Sequence, residues 1–210
     1  MARVLVADDH PLLRSGLKQV LEHEPDLQLG GEAEDSEEAL RRVQEEPWDL
    51  VILDLSMPGR GGLEVLREIR QLRPSLPVLV LSMHAEDQFA VRAIKAGASG
   101  YVSKINGTAE VVRAIRRVLT GKKYVSATLA ETLANALDGG NDRPAHEILS
   151  DREFQVLCKI ASGKTVSQIA AEVSLSVKTI STYRSRVLEK MNMRNNAEIT
   201  RYAIQKGLVD

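Results

Sequence analysis

Aromatic residues are scarce in this chain, with two Phe, one Trp and four Tyr among 210 residues. Proteins that hold single-stranded nucleic acid stack its bases on aromatic rings, so this composition argues against that class. A single cysteine, Cys158, excludes an intrachain disulfide and points to a reducing compartment. It falls within the apolar helical pattern Phe154, Leu157, Cys158, Ala161 and reads as inert core. No apolar stretch approaches the roughly 20 residues of a membrane span. Met1-Ala2-Arg3 runs directly into a strand pattern with no secretory leader, so a cytoplasmic protein with no membrane partner is expected. A dominant charge sign is also missing, since the net charge is −1. That balance conceals a split: residues 1–147 carry 18 Lys+Arg against 23 Asp+Glu, and residues 148–210 carry 10 against 6. An acidic and a basic part on one chain suit a regulator of which only one part meets an anionic polymer.

What is present is a change of period along the chain. The apolar runs Val4-Leu5-Val6-Ala7, Leu27-Gln28-Leu29, Leu50-Val51-Ile52-Leu53, Val78-Leu79-Val80-Leu81 and Gly100-Tyr101-Val102 predict strands. Between them lie helical patterns such as Leu12, Leu13, Leu17, Val20, Leu21 and Leu63, Val65, Leu66, Ile69, Leu72. Unbroken aliphatic strands alternating with helices predict a doubly wound α/β domain over residues 1–121, a five-stranded parallel sheet of order 2-1-3-4-5. Residues 122–147 read as a linker with a helix around Ala127–Leu137, followed by a polar, Gly-rich hinge ending at Pro144. Residues 148–210 predict a small all-α domain. Ser150-x-x-Glu153 forms a capping box, Gly163 closes the first helix, and Ser176 caps a third that buries Ile180, Val187, Leu188 and Met191.

The predicted sheet gathers chemistry at one edge. Asp8 and Asp9 follow the first strand, Asp54 closes the third, Ser82 ends the fourth and Lys104 follows the fifth. Ligands of doubly wound sheets bind beyond the C-terminal strand ends, at the switch point between strands 1 and 3. Crowded carboxylates repel, and a bound cation is a usual relief. Hard oxygen ligands next to a phosphate suit Mg²⁺, with Asp9 and Asp54 as direct ligands, Asp8 through water, and Ser56 lending a backbone carbonyl. Asp54 is then the nucleophile toward phosphorus, Lys104 a fixed positive charge and Ser82 a hydroxyl donor for phosphoryl oxygens. Any one of these acids alone would read as a solvated loop residue. His10-Pro11 reads as a helix start and not as a metal ligand. Trp48 and His23 read as packing and surface. His84, two residues past Ser82, reads either as an exposed loop histidine or as a side chain at the site mouth that tunes acyl-phosphate lifetime.

In the basic part, the stretch from Lys164 to Lys190 has the helix–short turn–helix form whose second helix enters a major groove. Removing the buried positions leaves Lys178, Thr179, Ser181, Thr182, Arg184, Ser185 and Arg186 as candidates for DNA, although such a helix by itself more often presents a solvated face.

These motifs together resemble a bacterial two-component response regulator of the NarL/FixJ type. Asp8-Asp9, Asp54-x-x-Met57-Pro58, Ser82 and Tyr101-x-x-Lys104 resemble the receiver motif set. Leu149-Ser150-Asp151-Arg152-Glu153, Ile169-Ala170, Ser176-x-Lys178-Thr179-Ile180 and Lys190-Met191 resemble the LuxR-type signature. The resemblance implies phosphorylation of Asp54 by a sensor histidine kinase, repositioning of Ser82 and Tyr101, and promoter DNA as partner. Ser181, Thr182 and Ser185 would then face bases, and Lys178, Thr179 and Arg184 phosphates. It also implies a homodimer through the last helix, with Glu198, Ile199 and Tyr202, and RNA polymerase as a candidate partner. Three positions depart from the pattern: Ile105 stands where many receivers have Pro, which weakens the expectation of a cis bond there. Gly61-Gly62 replaces Asp-Gly, and Tyr183 replaces His. The chain is read as a transcription factor and not an enzyme. An aspartyl-phosphate phosphatase would put Asp-x-Asp on the first strand, and a ligand-sensing LuxR-type regulator would lack the carboxylate edge. A protein-binding helical module would bind DNA not at all or without salt dependence.

Overall fold

In a computed structural model, which describes residues 1–82, 88–137 and 144–209, the chain divides into two units, 1–137 and 138–210. His84 and the hinge residues 138–143 lie outside the described residues. In the first unit β1 (Ala2–Ala7), β2 (Leu27–Ala33), β3 (Leu50–Asp54), β4 (Val78–Ser82) and β5 (Gly100–Ser103) pair in parallel, in the expected order 2-1-3-4-5. The sheet is covered on both faces, which is why its strands carry aliphatics at successive positions. Leu5, Val51, Leu53 and Val80 pack on one face with α2 (Ser36–Glu45), α3 (Gly62–Leu72) and α4 (Gln88–Lys95). Val4, Ile52, Leu79 and Leu81 pack on the other with α1 (Pro11–Glu22) and α5 (Thr108–Leu119).

Two stretches differ from the expectation for local reasons. β2 continues through Gly30-Gly31, a pair that reads as a strand breaker. A Cβ at either position would come within 2.7 Å of the Trp48 ring, so the glycines make room for the indole on the strand. The helix expected inside the linker, α6 (Ala127–Leu137), belongs to the first unit: Leu129 is buried in the same core as Val91 of α4. Ahead of α6, Tyr124 pairs in parallel with Gly100 and extends the sheet beyond β5. Residues 122–137 are therefore built onto the first unit.

The second unit holds α7 (Asp151–Ala161), α8 (Val166–Glu172), α9 (Val177–Lys190) and α10 (Asn196–Gln205). Each begins on a side-chain cap. Ser150 and Thr165 form capping boxes with Glu153 and Gln168, while Ser176 and Asn195 accept from the amides of Thr179 and Glu198. Phe154, Leu157, Ile169, Ile180, Val187 and Ile199 are fully buried between these helices. Leu188, expected in that core, is only half-buried.

The Gly61-Gly62 turn is more demanding than it reads. A Cβ at Gly62, the first residue of α3, would lie 2.3 Å from the Leu55 Cα. Gly62→Ala is expected to cost about 1–3 kcal/mol through forced backbone movement. Gly16→Ala, in mid-α1 with nothing within 4 Å of its added Cβ, should stabilise by about 0.5–1 kcal/mol. Urea unfolding of both variants checks the contrast, and a neutral Gly62→Ala would contradict it.

Candidate functional site

Asp54 is the last residue of β3 and pairs with Leu81 of β4, while Ala7 at the end of β1 pairs with Leu53. That register sets Asp8, Asp9 and Asp54 at neighbouring strand ends, and one ligand atom from each of Asp8, Asp9, His10 and Asp54 falls within 4.8 Å of the others. Asp54 and Asp8 are buried. Asp54 Oδ1 accepts from the Ser56 amide (3.0 Å), and its Oδ2 accepts from Lys104 Nζ (2.7 Å). The same ammonium lies 2.7 Å from Asp8 Oδ2. Burial pushes the Asp54 pKa up, with the Asp8 charge acting in the same direction and Lys104 against it. Burial alone would lower the Lys104 pKa, but the facing carboxylates of Asp54 and Asp8 outweigh it and raise the value.

Two further side chains shape the site. The Arg14 guanidinium is buried, donates from Nη1 to the Asp8 carbonyl (2.7 Å) and is held by Glu32 (3.1 Å) and Glu34. Sequence reasoning passed over it, although a cation at the spacing of the buried Leu17 and Leu21 is a visible signal. His10 begins α1, as expected. Its ring also turns onto the acids, with Nδ1 2.8 Å from Asp9 Oδ1 and 3.2 Å from Asp8 Oδ1.

The acids suit a divalent cation on a specific ground. One ammonium serves two buried carboxylates, with Lys104 Nζ 2.7 Å from both Asp8 Oδ2 and Asp54 Oδ2, while Asp9 Oδ1 faces only the His10 ring (2.8 Å). Crowded carboxylates that outnumber the cations beside them are costly unless a further cation joins them. Ser82, paired with Ser103, is buried at the end of β4, and Tyr101 is buried within β5. Ser56 follows Asp54 and is half-buried. The Lys104–Ile105 peptide is trans.

In the second unit the sequence-derived face of α9 divides. Lys178, Ser181, Thr182, Ser185 and Arg186 are exposed. The hydroxyls of Thr182 and Ser185 bond back to the carbonyls of Lys178 and Ser181, each at 3.0 Å. Two others are engaged locally: the Thr179 hydroxyl meets that of Ser176 (2.7 Å), and Arg184 Nε donates to Asn196 Oδ1 (2.6 Å), bracing α9 on α10. The expected dimer residues are engaged within the unit. Ile199 is fully buried in the unit's own core. Tyr202 Oη is 2.9 Å from His146 Nδ1, and the Glu198 carboxylate accepts from the Arg194 amide (2.8 Å). Glu198 and Tyr202 keep part of their surface exposed, next to the exposed Ala197, Arg201 and Ile204 of α10. Helical periodicity alone could not separate these from Ile199.

Known proteins match along nearly the whole chain. The family model for the response regulator receiver domain matches residues 4–116, and that for bacterial regulatory proteins of the luxR family matches residues 147–203. The response regulator GacA of Pseudomonas viridiflava is 38% identical over 211 residues, covering 100% of this chain and 99% of GacA. The response regulator UvrY of Escherichia coli K12 is 35% identical over 209 residues, covering 99% and 96%. Among solved structures, RcsB from Salmonella enterica serovar Typhimurium, bound to promoter rprA in the presence of the phosphomimetic BeF3-, is similar with TM-score 0.68 and 27% identity, covering 96% of this chain and 97% of RcsB.

Glu153 ties α7 to the end of α9 and yields a pH prediction. It is buried, which alone would raise its pKa, but bonds from Lys190 Nζ (2.7 Å) and the Ser150 amide (2.8 Å) prevail and hold it below the usual Glu value. A carboxyl whose pKa falls on folding stabilises above its unfolded pKa, and that stability is lost as pH falls through the folded value. Glu153→Gln should therefore cost about 1–2 kcal/mol at neutral pH. The difference from wild type should vanish well below the ordinary Glu pKa of about 4.3. Urea unfolding at both pH values checks this, and a pH-independent cost would contradict it.

Proposed function

Because the chain belongs to the bacterial response regulators that join a receiver domain to a LuxR-type DNA-binding domain, we propose that phosphorylation of Asp54 controls its dimerisation and its binding to promoter DNA. The receiver implies a kinase as partner, and a sensor histidine kinase is the proposed donor. No described helix is long and apolar enough to cross a membrane.

The observation that carries the reading is the buried Asp54 carboxylate, held by Lys104 and crowded by Asp8 and Asp9, three carboxylates on one ammonium. In the transfer, an Asp54 oxygen attacks phosphorus, a P–O bond forms, and the P–N bond to the donor imidazole breaks. The electron pair returns to that nitrogen, which takes up a proton. Lys104 Nζ, already 2.7 Å from Asp54 Oδ2, neutralises charge on the transferred oxygens, and the Ser82 hydroxyl is the second donor. Asp8, Asp9, Asp54 and the Ser56 carbonyl would hold Mg²⁺, which when bound screens the phosphoryl oxygens from the carboxylates. Arg14 and His10 keep the acid pair in place. A phosphoryl group brings roughly −1.5 to −2 charges. Drawing Ser82 and Lys104 toward it repositions β4 and β5, with Tyr101 following.

RcsB has been solved in complex with promoter DNA. On that likeness, α9 is the recognition helix here. Ser181, Thr182 and Ser185 read base edges, Lys178 and Arg186 meet phosphates, and Arg184 braces α10. RNA polymerase is a candidate partner of the bound form. Self-association is assigned to the exposed Ala197, Arg201 and Ile204 face.

Incubation with a small acyl phosphate and Mg²⁺ is expected to add one phosphoryl group, read by intact mass. Asp54→Ala should abolish it, and Asp9→Ala should slow it and raise the Mg²⁺ concentration needed. Undiminished labelling of Asp54→Ala would overturn the assignment. For DNA, Lys178→Ala should weaken specific and random duplexes alike. Thr182→Ala should lose about 1 kcal/mol or more of discrimination in a binding assay at fixed salt. Equal loss on both duplexes would remove Thr182 from the base-reading set.

A further inference from the structure

At the opposite end of the sheet from the carboxylates, the first unit has a second concave site that the proposed function does not use. It is a cavity of about 420 Å³ beside the N-terminal ends of β3, β4 and β5, within the roughly 300–1,000 Å³ range of small-molecule sites. Arg70 from the last turn of α3 lines it, with Lys122 and Lys123 beyond α5 and the hydroxyl-bearing Ser75 and Ser99.

Its charge is one-sided. Asp49 is the one acid among the lining residues, and its carboxylate already accepts from the Arg3 amide (2.7 Å). Arg70 Nη1 donates to the Leu76 carbonyl (2.9 Å) and Lys123 Nζ to the Ala98 carbonyl, both neutral acceptors. Among the described residues, none of the three cations has a carboxylate partner, and the hydroxyls of Ser75 and Ser99 and the ammonium of Lys122 make no hydrogen bond. Partial burial and the nearby Arg70 charge both push the Lys123 pKa down, the sign of a cation lacking a counter-charge. Arg70 is also guided to the cavity, since its aliphatic stem runs over Gly97, where an added Cβ would come within 3.2 Å of it. Cations near helix C-termini are favoured by the helix dipole, which accounts for each of them singly. The dipole does not account for their convergence on an open cavity with two unspent hydroxyls.

We propose that this cavity is a binding site for a small phosphate-bearing anion. A planar guanidinium, flexible ammonium groups and hydroxyl donors around a concave wall are the groups that recognise phosphate oxygens. The site would also reach the linker. Lys123 and Tyr124 belong to the segment that pairs with β5 and leads into α6, so an anion held by Lys122 and Lys123 would fix that path.

Pyrophosphate serves as the probe, titrated into the isotope-labelled full chain in EDTA, which keeps the Asp54 site out of play. Saturable amide shifts are expected at Ser75, Ser99, Lys122 and Lys123. Both Arg70→Gln and Lys122→Gln should weaken binding about tenfold, the loss of one charge-assisted contact. Lys122 is exposed and its side chain braces nothing, so that variant keeps the test valid if Arg70→Gln misfolds. Shifts that never saturate, that sodium chloride of equal ionic strength reproduces, that fall only on α9, or that survive Lys122→Gln would overturn the proposal.

Discussion

Charge crowding at the C-terminal edge of a buried parallel sheet is the constraint on which the rest of this molecule turns. Three carboxylates meet one ammonium there, and two like charges roughly 4 Å apart at an effective dielectric of about 20 repel by about 4 kcal/mol. The protein offsets part of this with Lys104, which faces both Asp54 and Asp8, and part with the Ser56 amide. Arg14 grips the backbone of Asp8, and the ring of His10 lies against the pair. What stays uncompensated, three carboxylates against one ammonium, is a standing demand for positive charge. On the proposed function, arriving phosphoryl charge would redistribute these pairings.

The surrounding fold delivers that arrangement through register. Every contributor sits at or just past a strand end, so the sheet order alone brings Asp8, Asp54, Ser82 and Lys104 to one edge. The glycine at 62 lets the chain turn away from Asp54 closely enough for α3 to start against Leu55. On the far side of β5, Tyr124 and α6 are built onto the same unit, which places the start of the route to the DNA-binding helices directly on the strand that carries Tyr101.

Much of this was legible in the sequence. Aliphatic runs gave the strands, their ends gave the acids and the lysine, and Ser150 and Ser176 announced helix starts. The misses share a cause, which is that local pattern does not carry tertiary destination. Gly30-Gly31 reads as a break until Trp48 is seen to lie on it. Arg14 shares the helical spacing of Leu17 and Leu21, but only packing brings it to the carbonyl of Asp8. Ile199, Ile204 and Tyr202 share a helix and a chemistry, yet only packing decides that Ile199 is core and Ile204 is surface. The bond from Arg184 to Asn196, twelve residues on, has no local signal either.

The two units meet functionally only if charge at Asp54 alters what α9 does. The most direct test is the affinity of the full chain for a duplex selected from a random pool by its own C-terminal unit, measured before and after phosphorylation and in parallel with Asp54→Ala. The account predicts that phosphorylation shifts the wild-type affinity and leaves Asp54→Ala unchanged. An affinity that is the same in both states of the wild type, or that shifts equally in Asp54→Ala, would contradict it.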